Sequence, residues 1–384
     1  MSNPVRHYDV IIVGAGPAGT ACAMALKDAK LSVLLLDKAT FPRDKVCGDA
    51  IGGRSIKMLY KYAPELVEEL RTVERKSFIS TTRVFIDNQR PFNLYWKNES
   101  YCMKRVDFDA LLLKHALKNC SSLTFQSNFK VDEVRRANDK LIVGNKQTET
   151  YYSANIVVAA DGSQSYLAKQ LIQLKMDPNN FSAAVRAYYT NVSGIESNQT
   201  EVHIYKENMP GYLWIFPVEN NTANVGFGML SKNISKYQLN LKESLNHTIN
   251  QHPQLAQRFL HAKQESELQG FGLALGSRSI DWCGDNFLLI GDAASLIDPK
   301  SGDGISNAIE SGIYASGTIR EAHEQHDFSK KFLMHYEVAL RNKIGNELLL
   351  STLVLRFGTY FPFLIRFVPF FMRFTFIARL ASKF

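Results

Sequence analysis

The chain has 384 residues, of which 45% are hydrophobic and 21% are charged, so it can bury a large core and is neither disordered nor fibrous. Its five cysteines are odd in number and widely spaced, without the CxxC or histidine spacing of a zinc site, which argues against a disulfide framework and against a bound metal. The formal net charge of +8 is not gathered along a groove with exposed aromatic platforms, so the composition disfavours nucleic-acid binding.

The first predicted strand, residues 8–13, follows a short polar segment and runs at once into glycines, so it is not a secretory signal, and we expect a cytoplasmic protein. Its β-branched residues are typical of a strand buried on both faces of a parallel sheet. In the GAGPAG sequence that follows, Gly14 permits a tight turn, Gly16 lets the backbone approach a pyrophosphate, and Gly19 lets a helix pack on the strand. The helix N-terminus then offers free N–H groups to the phosphates.

The next predicted strand, residues 32–36, ends in Asp37, about 20 residues after the glycines. At that position a carboxylate accepts hydrogen bonds from an adenosine ribose and repels a 2′-phosphate. The pattern therefore predicts FAD or NAD rather than NADP. The alternative is that Asp37 is a solvated turn residue.

Two further strands end in the same kind of residue. One precedes Asp161-Gly162, and the other precedes Gly291-Asp292. A simple NAD dehydrogenase needs only the first glycine motif, whereas an aspartate at each of these strand ends can accept from ribityl or ribose hydroxyls. A long helical pattern begins after a glycine turn, where N–H donors are expected beside the negative charge of a reduced flavin; this turn holds Gly302 and Gly304, directly before Ile305.

These three motifs, in this order and spacing, resemble the flavoprotein superfamily that includes aromatic hydroxylases, flavin-dependent halogenases and geranylgeranyl reductases. The resemblance covers residues 8–323 and implies an α/β fold: a Rossmann-like FAD-binding domain, an inserted and mainly antiparallel β-sheet domain, and C-terminal helices. The expected segments are 1–80, 100–180 and 270–325 for the FAD domain, 81–99 and 181–269 for the substrate sheet, and 326–384 for the C-terminal helical, basic and hydrophobic part.

In that superfamily the Asp-Gly pair lies near the cofactor, the Gly-Asp pair contacts the ribityl chain, and an arginine opens a helix beside the FAD. Arg105 matches this arginine, although taken alone it reads as an ordinary surface charge at a helix end. The FAD-binding residues implied by the resemblance are Gly14, Gly16, Ala18, Gly19, Asp37, Cys47, Gly48, Ala50, Arg105, Val131, Asp161, Gly291, Asp292, Gly302, Gly304 and Ile305.

The segment from Phe41 to Asp49 resembles the cysteine-glycine motif of geranylgeranyl reductases, in which the cysteine faces the substrate side of the flavin. Halogenases usually carry a Gly-Glu-Ser type of segment here. A single cysteine is more often a small buried hydrophobe than a reactive group. On the resemblance, Cys47 is nevertheless the candidate catalytic residue.

Residues 212–217 read YLWIFP, and a Gly-Phe-Gly sequence follows at 226–228. Alternation in a strand places the three rings on one face, which suits the wall of an apolar cavity and equally an ordinary sheet-helix core. The pattern resembles the YxWxFP and GxG signature of geranylgeranyl reductases, where it shapes the cavity for a prenyl chain. The substrate-binding residues this implies are Tyr212, Trp214, Phe216, Pro217, Gly226 and Gly228.

The reaction implied by the resemblance is saturation of carbon–carbon double bonds in a geranylgeranyl or polyprenyl lipid by reduced FAD. No second complete nicotinamide-binding fold is evident, so the electron donor is expected to be NAD(P)H bound transiently or a ferredoxin-like protein. Three alternatives stay open: a monooxygenase of the aromatic-hydroxylase type, a halogenase, and a maturation flavoprotein that acts on a partner protein.

After Glu347 the chain has no acidic residue, and its apolar runs are too short to span a bilayer. One interpretation is a tail at the inner face of the membrane, with its cations toward anionic headgroups. The other is a set of helices packed on the body. The cations in question are Arg356, Arg366, Arg373, Arg379 and Lys383.

Overall fold

The computed structural model describes residues 5–205, 211–219 and 221–361, and within these ranges the chain forms three β-sheets flanked by helices. The strands are β1 (Arg6–Val13), β2 (Val33–Leu36), β3 (Ala50–Ile51), β4 (Ser77–Phe78), β5 (Thr81–Ile86), β6 (Phe92–Tyr95), β7 (Tyr101–Cys102), β8 (Leu123–Gln126), β9 (Glu133–Ala137), β10 (Lys140–Asn145), β11 (Thr150–Ala159), β12 (Phe181–Thr190), β13 (Gln199–Ile204), β14 (Gly211–Glu219), β15 (Thr222–Leu230), β16 (Lys263–Gln264), β17 (Gln269–Ala274), β18 (Cys283–Gly284) and β19 (Phe287–Leu289). The helices are α1 (Pro17–Ala25), α2 (Gly53–Tyr62), α3 (Pro64–Thr72), α4 (Arg105–Asn119), α5 (Tyr166–Leu171), α6 (Ser231–Tyr237), α7 (Leu241–Gln251), α8 (Ala256–Phe259), α9 (Ile305–Gln325) and α10 (Lys330–Tyr360).

The first sheet has the order β18-β19-β11-β1-β2-β8, and its central strands run parallel. They are apolar and almost completely buried, as expected for strands covered by helices on both faces. Because parallel strands end at the same edge, the loops that follow β1, β2, β11 and β19 meet there. The N–H of Gly14 donates to the carbonyl of Leu36 at 2.7 Å, and that of Ala160 donates to Val13 at 2.8 Å.

Helices α1 and α9 cross in close contact on one face of this sheet. A Cβ atom placed on Gly312 would lie 2.4 Å from the carbonyl oxygen of Ala18, and one on Gly291 would lie 2.9 Å from the Ala18 side chain. Small residues therefore bring the helix after the first glycine motif directly against the helix after the third. This contact holds the two motifs side by side.

The second sheet has the order β16-β12-β15-β14-β13-β5-β6, with β17 also paired to β12, and it is antiparallel except where β13 runs beside β5. One of its faces packs on α7 and α8 through a cluster that includes Leu213, Val225 and Leu245. The α/β class with a mainly antiparallel second sheet agrees with the sequence prediction. Strand β17 lies in the second sheet, although the segment predicted for the FAD domain already includes it from residue 270.

The cysteine loop, residues 41–49, lies between the two large sheets. It is followed by β3, which pairs with β7 in a small sheet completed by β4. The N–H of Met103 donates to the carbonyl of Asp49 at 3.0 Å, which anchors the end of the loop next to the start of α4. The loop is thus held at the edge of the first sheet, where the glycine motifs meet.

Helix α10 packs on the first sheet through Leu333, Tyr336, Leu340, Ile344 and Leu348. Beyond Leu348 its last turns carry several exposed apolar side chains. Within the described residues, no helix is long and apolar enough to cross a bilayer. The predicted tail cations other than Arg356 lie outside the described residues.

Candidate flavin and substrate site

The first glycine motif is built by close backbone contacts. Gly14 has a φ of +112°, and a Cβ there would lie 2.2 Å from the carbonyl oxygen of Ala160; a Cβ on Gly19 would lie 1.9 Å from the oxygen of Gly14. Neither position can hold a side chain, as the tight turn and close helix packing require. By contrast, the nearest neighbour of a Cβ on Gly16 is the guanidinium of Arg43 at 3.7 Å. An open glycine beside a cation at a helix N-terminus fits a bound pyrophosphate.

Asp37 is buried and fixes this turn. Its Oδ2 accepts from the N–H of Ala15 at 2.8 Å, and its Oδ1 accepts from the N–H of Ala39 at 2.8 Å. Each carboxylate oxygen can accept more than one hydrogen bond, so both keep capacity for a ribose hydroxyl. The residue is thus part of the turn and not a solvated surface aspartate.

Asp161 caps the start of α5. Its carboxylate accepts from the hydroxyl of Ser165 and from the N–H of Leu167, and burial raises its pKa above the usual value in spite of these donors. The neighbouring Gly162 has a φ of +85°, and a Cβ added there would have no heavy atom within 4 Å. In the second motif, the carboxylate of Asp161 is therefore hydrogen-bonded within the chain, whereas Gly162 has open space beside it.

Asp292 connects the third motif to the second motif and to the cysteine loop. It accepts from the ammonium group of Lys45 at 2.9 Å and from the hydroxyl of Ser163 at 3.3 Å. Burial opposes its charge, but Lys45 and Arg105 hold its pKa below the usual value. A Cβ on Gly304 would lie 3.1 Å from Asp292 Oδ1, so the third motif and the glycine turn touch.

The glycine turn before α9 uses some of its donors within the chain. The N–H of Gly302 donates to the carbonyl of Asp298 at 2.9 Å, and the N–H of Ile305 donates to Asp303 Oδ1 at 3.0 Å. Free N–H groups were expected at this turn from the sequence. The N–H groups of Gly302 and Ile305 are therefore already hydrogen-bonded within the chain, and Gly304 lies between these two residues.

Arg105 opens α4, as predicted, and is buried. It forms two hydrogen bonds of 2.6 Å with Asp109, which also accepts from Arg43 at 2.6 Å. Burial opposes the charge of Asp109, but the two guanidinium groups hold the pKa of that carboxyl below its usual range. Arg105 therefore pairs chiefly with Asp109, and its charge also acts on the thiol of Cys47.

Cys47 is half-buried, whereas the other four cysteines are fully buried, and all five are free thiols. Burial raises the pKa of the Cys47 thiol, while the guanidinium of Arg105 and the N–H of Asp49 act in the opposite direction. The thiol therefore keeps its proton at neutral pH. A protonated, partly accessible thiol at the edge of the flavin motifs suits a proton donor.

The three rings of β14 form an aromatic wall, defined here as Tyr212, Trp214 and Phe216. Neighbouring ring centroids lie 6.0 and 6.3 Å apart. A Cβ on Gly48 would lie 3.2 Å from the Phe216 ring, and the hydroxyl of Tyr212 donates to the carbonyl of Ser301 at 2.7 Å. The wall thus extends from the cysteine loop to the glycine turn.

The glycines of β15 make room for this wall. A Cβ on Gly226 would lie 2.1 Å from the Trp214 ring, while one on Gly228 would meet only ordinary contacts, the nearest at 3.4 Å. Pro217 lies next to a strand irregularity and lines a separate cavity of about 610 Å³. It is therefore set apart from the three rings with which the sequence motif groups it.

The remaining predicted residues occupy different surroundings. Val131 is buried in the core of the first sheet, and Ile305 is buried at the start of α9. Ala18 lies in the contact between α1 and α9, and Ala50 is exposed on β3. Their contacts to FAD stay predictions.

Several polar residues of the site were not predicted from the sequence. Alternation in β15 could have indicated Asn224, which shares a strand face with the two glycines of the GxG motif. Tyr188 stands opposite Asn224 on β12, and no local signal points to it. Lys45 and Arg43 lie inside the cysteine motif, where their charges could have been read as partners for a carboxylate and a phosphate.

Residues 7–327 match the family model described as FAD binding domain. The chain is 27% identical over 364 residues to digeranylgeranylglycerophospholipid reductase 1 of Methanococcoides burtonii, covering 89% of this chain and 81% of that protein. The crystal structure of a geranylgeranyl bacteriochlorophyll reductase-like protein from Thermoplasma acidophilum superimposes with a TM-score of 0.80 at 24% identity, over 92% of this chain and 88% of the other. A flavin-dependent brominase gives the same TM-score at 21% identity, over 98% and 93% of the two chains.

These likenesses confirm the predicted fold class, the resemblance to geranylgeranyl reductases and the expectation of FAD. The brominase shares the fold, so overall shape does not separate the reductase and halogenase branches. The family match spans the three glycine and aspartate motifs and most of the chain. This protein therefore belongs to the FAD-binding domain family and is an FAD-dependent oxidoreductase.

Proposed function

We propose that the chain is a reductase that saturates carbon–carbon double bonds of a geranylgeranyl or polyprenyl lipid. The observation that carries the proposal is the contact between the cysteine loop and the aromatic wall, where a Cβ on Gly48 would lie 3.2 Å from Phe216 and 3.6 Å from Trp214 Nε1. This places the Cys47 segment against an apolar wall at the edge where the flavin motifs meet. The likeness to a digeranylgeranylglycerophospholipid reductase supports the same substrate class.

The residues at this edge fit FAD. Gly16 leaves room for the pyrophosphate beside Arg43, Asp37 keeps acceptor capacity for the ribose, and Asp292 lies where it can accept from the ribityl hydroxyls. When bound, reduced FAD would supply the hydride. The protein must bring the alkene to it, exclude water and provide a proton.

An isolated trisubstituted alkene is not polarised, so hydride addition at one carbon needs a proton at the other. The Cys47 thiol holds a proton at neutral pH because burial raises its pKa. The faces of Trp214 and Phe216 would exclude water and stabilise positive charge at the tertiary carbon. We assign the proton donor role to Cys47, with Cys47→Ser as the first variant to test.

The experiment is anaerobic incubation of dithionite-reduced, FAD-loaded protein with geranylgeranyl phospholipid, followed by mass spectrometry of the lipids. We expect products heavier by two hydrogens per reduced bond, and Cys47→Ser should keep its FAD while turnover falls by at least about tenfold. Product that appears only with oxygen would indicate a monooxygenase, and product that requires oxygen and halide would indicate a halogenase. A yellow protein without any lipid product, in a stable complex with another protein, would favour the maturation role.

The electron donor is proposed to be NAD(P)H or a ferredoxin-like protein. The flavin absorbance should bleach under anaerobic conditions when the physiological donor is added. Bleaching by NADH or NADPH alone would assign the nicotinamide. Bleaching only by a reduced ferredoxin would assign the protein carrier.

We further propose that the end of α10 touches the inner face of the cytoplasmic membrane. Exposed apolar side chains continue over its last turns while the chain beyond Glu347 carries only positive charges. The exposed residues are Leu349, Leu350, Leu353, Val354, Phe357, Tyr360 and Phe361.

Vesicles with and without phosphatidylglycerol test this contact. The double variant Leu353→Ser, Phe357→Ser should bind anionic vesicles at least about tenfold more weakly than the native protein, with unchanged FAD content. The matched control is Met334→Ser, Val338→Ser, which removes two exposed apolar side chains from the first half of the same helix. Equal binding by both double variants would refute the membrane contact.

A further inference from the structure

A buried asparagine links the cysteine loop to the aromatic wall. The side-chain oxygen of Asn224 accepts from Trp214 Nε1 at 2.8 Å, and its amide group donates to the carbonyl of Cys47 at 2.7 Å and to Asp49 Oδ2 at 2.8 Å. Asn224 and Asp49 have no exposed surface. One side chain from the second sheet thus fixes two successive parts of the loop and one ring of the wall.

Asp49 is held in an unusual way. Its Oδ2 accepts from both Asn224 and the hydroxyl of Tyr188, at 2.8 Å each, whereas its buried Oδ1 has no hydrogen-bond partner. Because one oxygen has two donors and the other has none, the negative charge of the carboxylate is incompletely compensated, which makes ionisation of this buried group harder. Burial raises the pKa of Asp49 to about 6, although Asn224 and Tyr188 favour its charged form.

Asp49 and Cys47 also influence each other electrostatically. Negative charge on Asp49 raises the pKa of the Cys47 thiol, and Arg105 lowers it. The charged and titratable groups that interact with Asp49 or Cys47 come from several elements: Arg186 and Tyr188 on β12, Arg105 on α4, Cys102 on β7, Tyr212 on β14, and Lys45 in the cysteine loop itself.

We propose that Asp49 is a positioning residue for Cys47: through Asn224 it holds Cys47 and Trp214 in one arrangement, and its charge sets how readily the Cys47 thiol ionises. The proposed reductase function gives this coupling its role in catalysis, because the thiol would be the proton donor. The coupling itself is a property of the loop. It can be measured without any lipid substrate.

The test is the pH dependence of Cys47 alkylation by iodoacetamide in the FAD-loaded protein. Asp49→Asn preserves the shape: the amide oxygen can accept from Asn224 and Tyr188, and the NH₂ group takes the place of Oδ1. We expect about tenfold faster labelling of Asp49→Asn than of the native protein at neutral pH, because the neighbouring negative charge is gone. Cys47→Ala supplies the background from the buried cysteines, and Asn233→Leu is a matched control for a buried asparagine elsewhere.

An identical labelling curve for Asp49→Asn and the native protein would overturn the electrostatic part of the proposal. Asn224→Leu keeps the charge of Asp49 but removes all three hydrogen bonds of the asparagine, so it should weaken substrate binding and change KM more than Asn233→Leu does. Unchanged KM and labelling in Asn224→Leu would overturn the positioning part.

If Asp49→Asn does not fold, infrared spectroscopy of the native protein replaces it. A protonated buried carboxyl should give a carbonyl band that disappears as the pH rises through about 6. Absence of that band at acidic pH would show that Asp49 does not change its charge in this pH range and would overturn the electrostatic part of the proposal. The labelling and infrared measurements do not involve turnover. Failure to find a lipid product would therefore refute the proposed function, and the electrostatic part of this inference would still be decided by those two measurements.

Discussion

The two sides of the site are built in different ways. On the flavin side, the decisive contacts are made by backbone atoms, and a Cβ on Gly14 or Gly19 would approach a carbonyl oxygen to 2.2 or 1.9 Å. On the substrate side, the contacts are made by side chains, and Asn224 reaches a loop 177 residues earlier in the sequence. On the flavin side, a side chain added at Gly14 or Gly19 would therefore clash with the backbone, whereas on the substrate side single side chains can be substituted without such a clash. We therefore expect proteins with this fold to keep the same cofactor while their substrates differ.

The largest effect is expected at Arg105, where the two sides meet. Arg105→Met leaves the buried carboxylate of Asp109 with only Arg43, so the free energy of unfolding should fall by about 4 kcal/mol. The matched control is Arg75→Met, which breaks an ion pair whose arginine is 69% exposed and should cost less than about 1 kcal/mol. Chemical denaturation measures both, and similar losses would mean that Arg105 is not a buried charge in solution.

The next effect separates folding from cofactor binding on the flavin side. Gly19→Ala places a Cβ against a backbone oxygen and should destabilise the protein by about 3 kcal/mol or more. Gly16 has an extended backbone and open space, so Gly16→Ala should fold normally yet bind FAD at least about tenfold more weakly. Thermal unfolding and flavin titration give the two readouts, and normal FAD affinity in Gly16→Ala would contradict the pyrophosphate assignment.

The buried carboxyl of the substrate side predicts a pH effect on stability. The pKa of Asp49 is raised from 3.8 to about 6 because burial disfavours the charged form. As the pH rises through this interval, the unfolded chain ionises more easily than the folded protein, so the free energy of unfolding falls. Relative to Asp49→Asn, the native protein should lose about 2 to 3 kcal/mol between about pH 4 and pH 7. Urea unfolding of both proteins at each pH gives the difference, and a constant difference would show that Asp49 does not titrate there.

The smallest effect concerns the glycines behind the aromatic wall. Gly226→Ala pushes a Cβ into the Trp214 ring, which must move, so we expect a loss of about 1 to 2 kcal/mol and a lower kcat/KM. Gly228→Ala adds only ordinary contacts and serves as the control. If Gly226→Ala left the tryptophan fluorescence and the kinetics unchanged, the wall would not depend on this close approach.

The flavin side could be predicted from the sequence because each of its motifs joins a strand, a turn and a helix within a few residues. The run 8–13, Gly14 and Asp37 all lie where the pattern places them. The ring face of β14 was also predictable, because alternation in a strand is strict.

The polar connections could not be predicted in the same way. Asp49 meets Tyr188 across 139 positions, and Lys45 meets Asp292 across 247 positions, so only the fold reveals these pairs. The engagement of the donors at the glycine turn has a local cause: Asp303 Oδ1 accepts from the N–H of Ile305 and caps the helix itself. Pro217 continues the sequence motif, but it directly follows Phe216, so alternation places it on the strand face opposite to the three rings.

The contact of Gly312 with Ala18 has a consequence for how the protein is made. A Cβ at position 312 would lie 3.0 Å from the amide nitrogen of Cys22 as well. The helix that follows the first motif can therefore pack closely only against a glycine that lies far later in the sequence. During translation, α1 is synthesised long before α9, so the apolar surface of α1 that packs on α9 stays exposed until α9 has left the ribosome. We therefore expect the flavin to be bound only after most of the chain, including α9, has been synthesised.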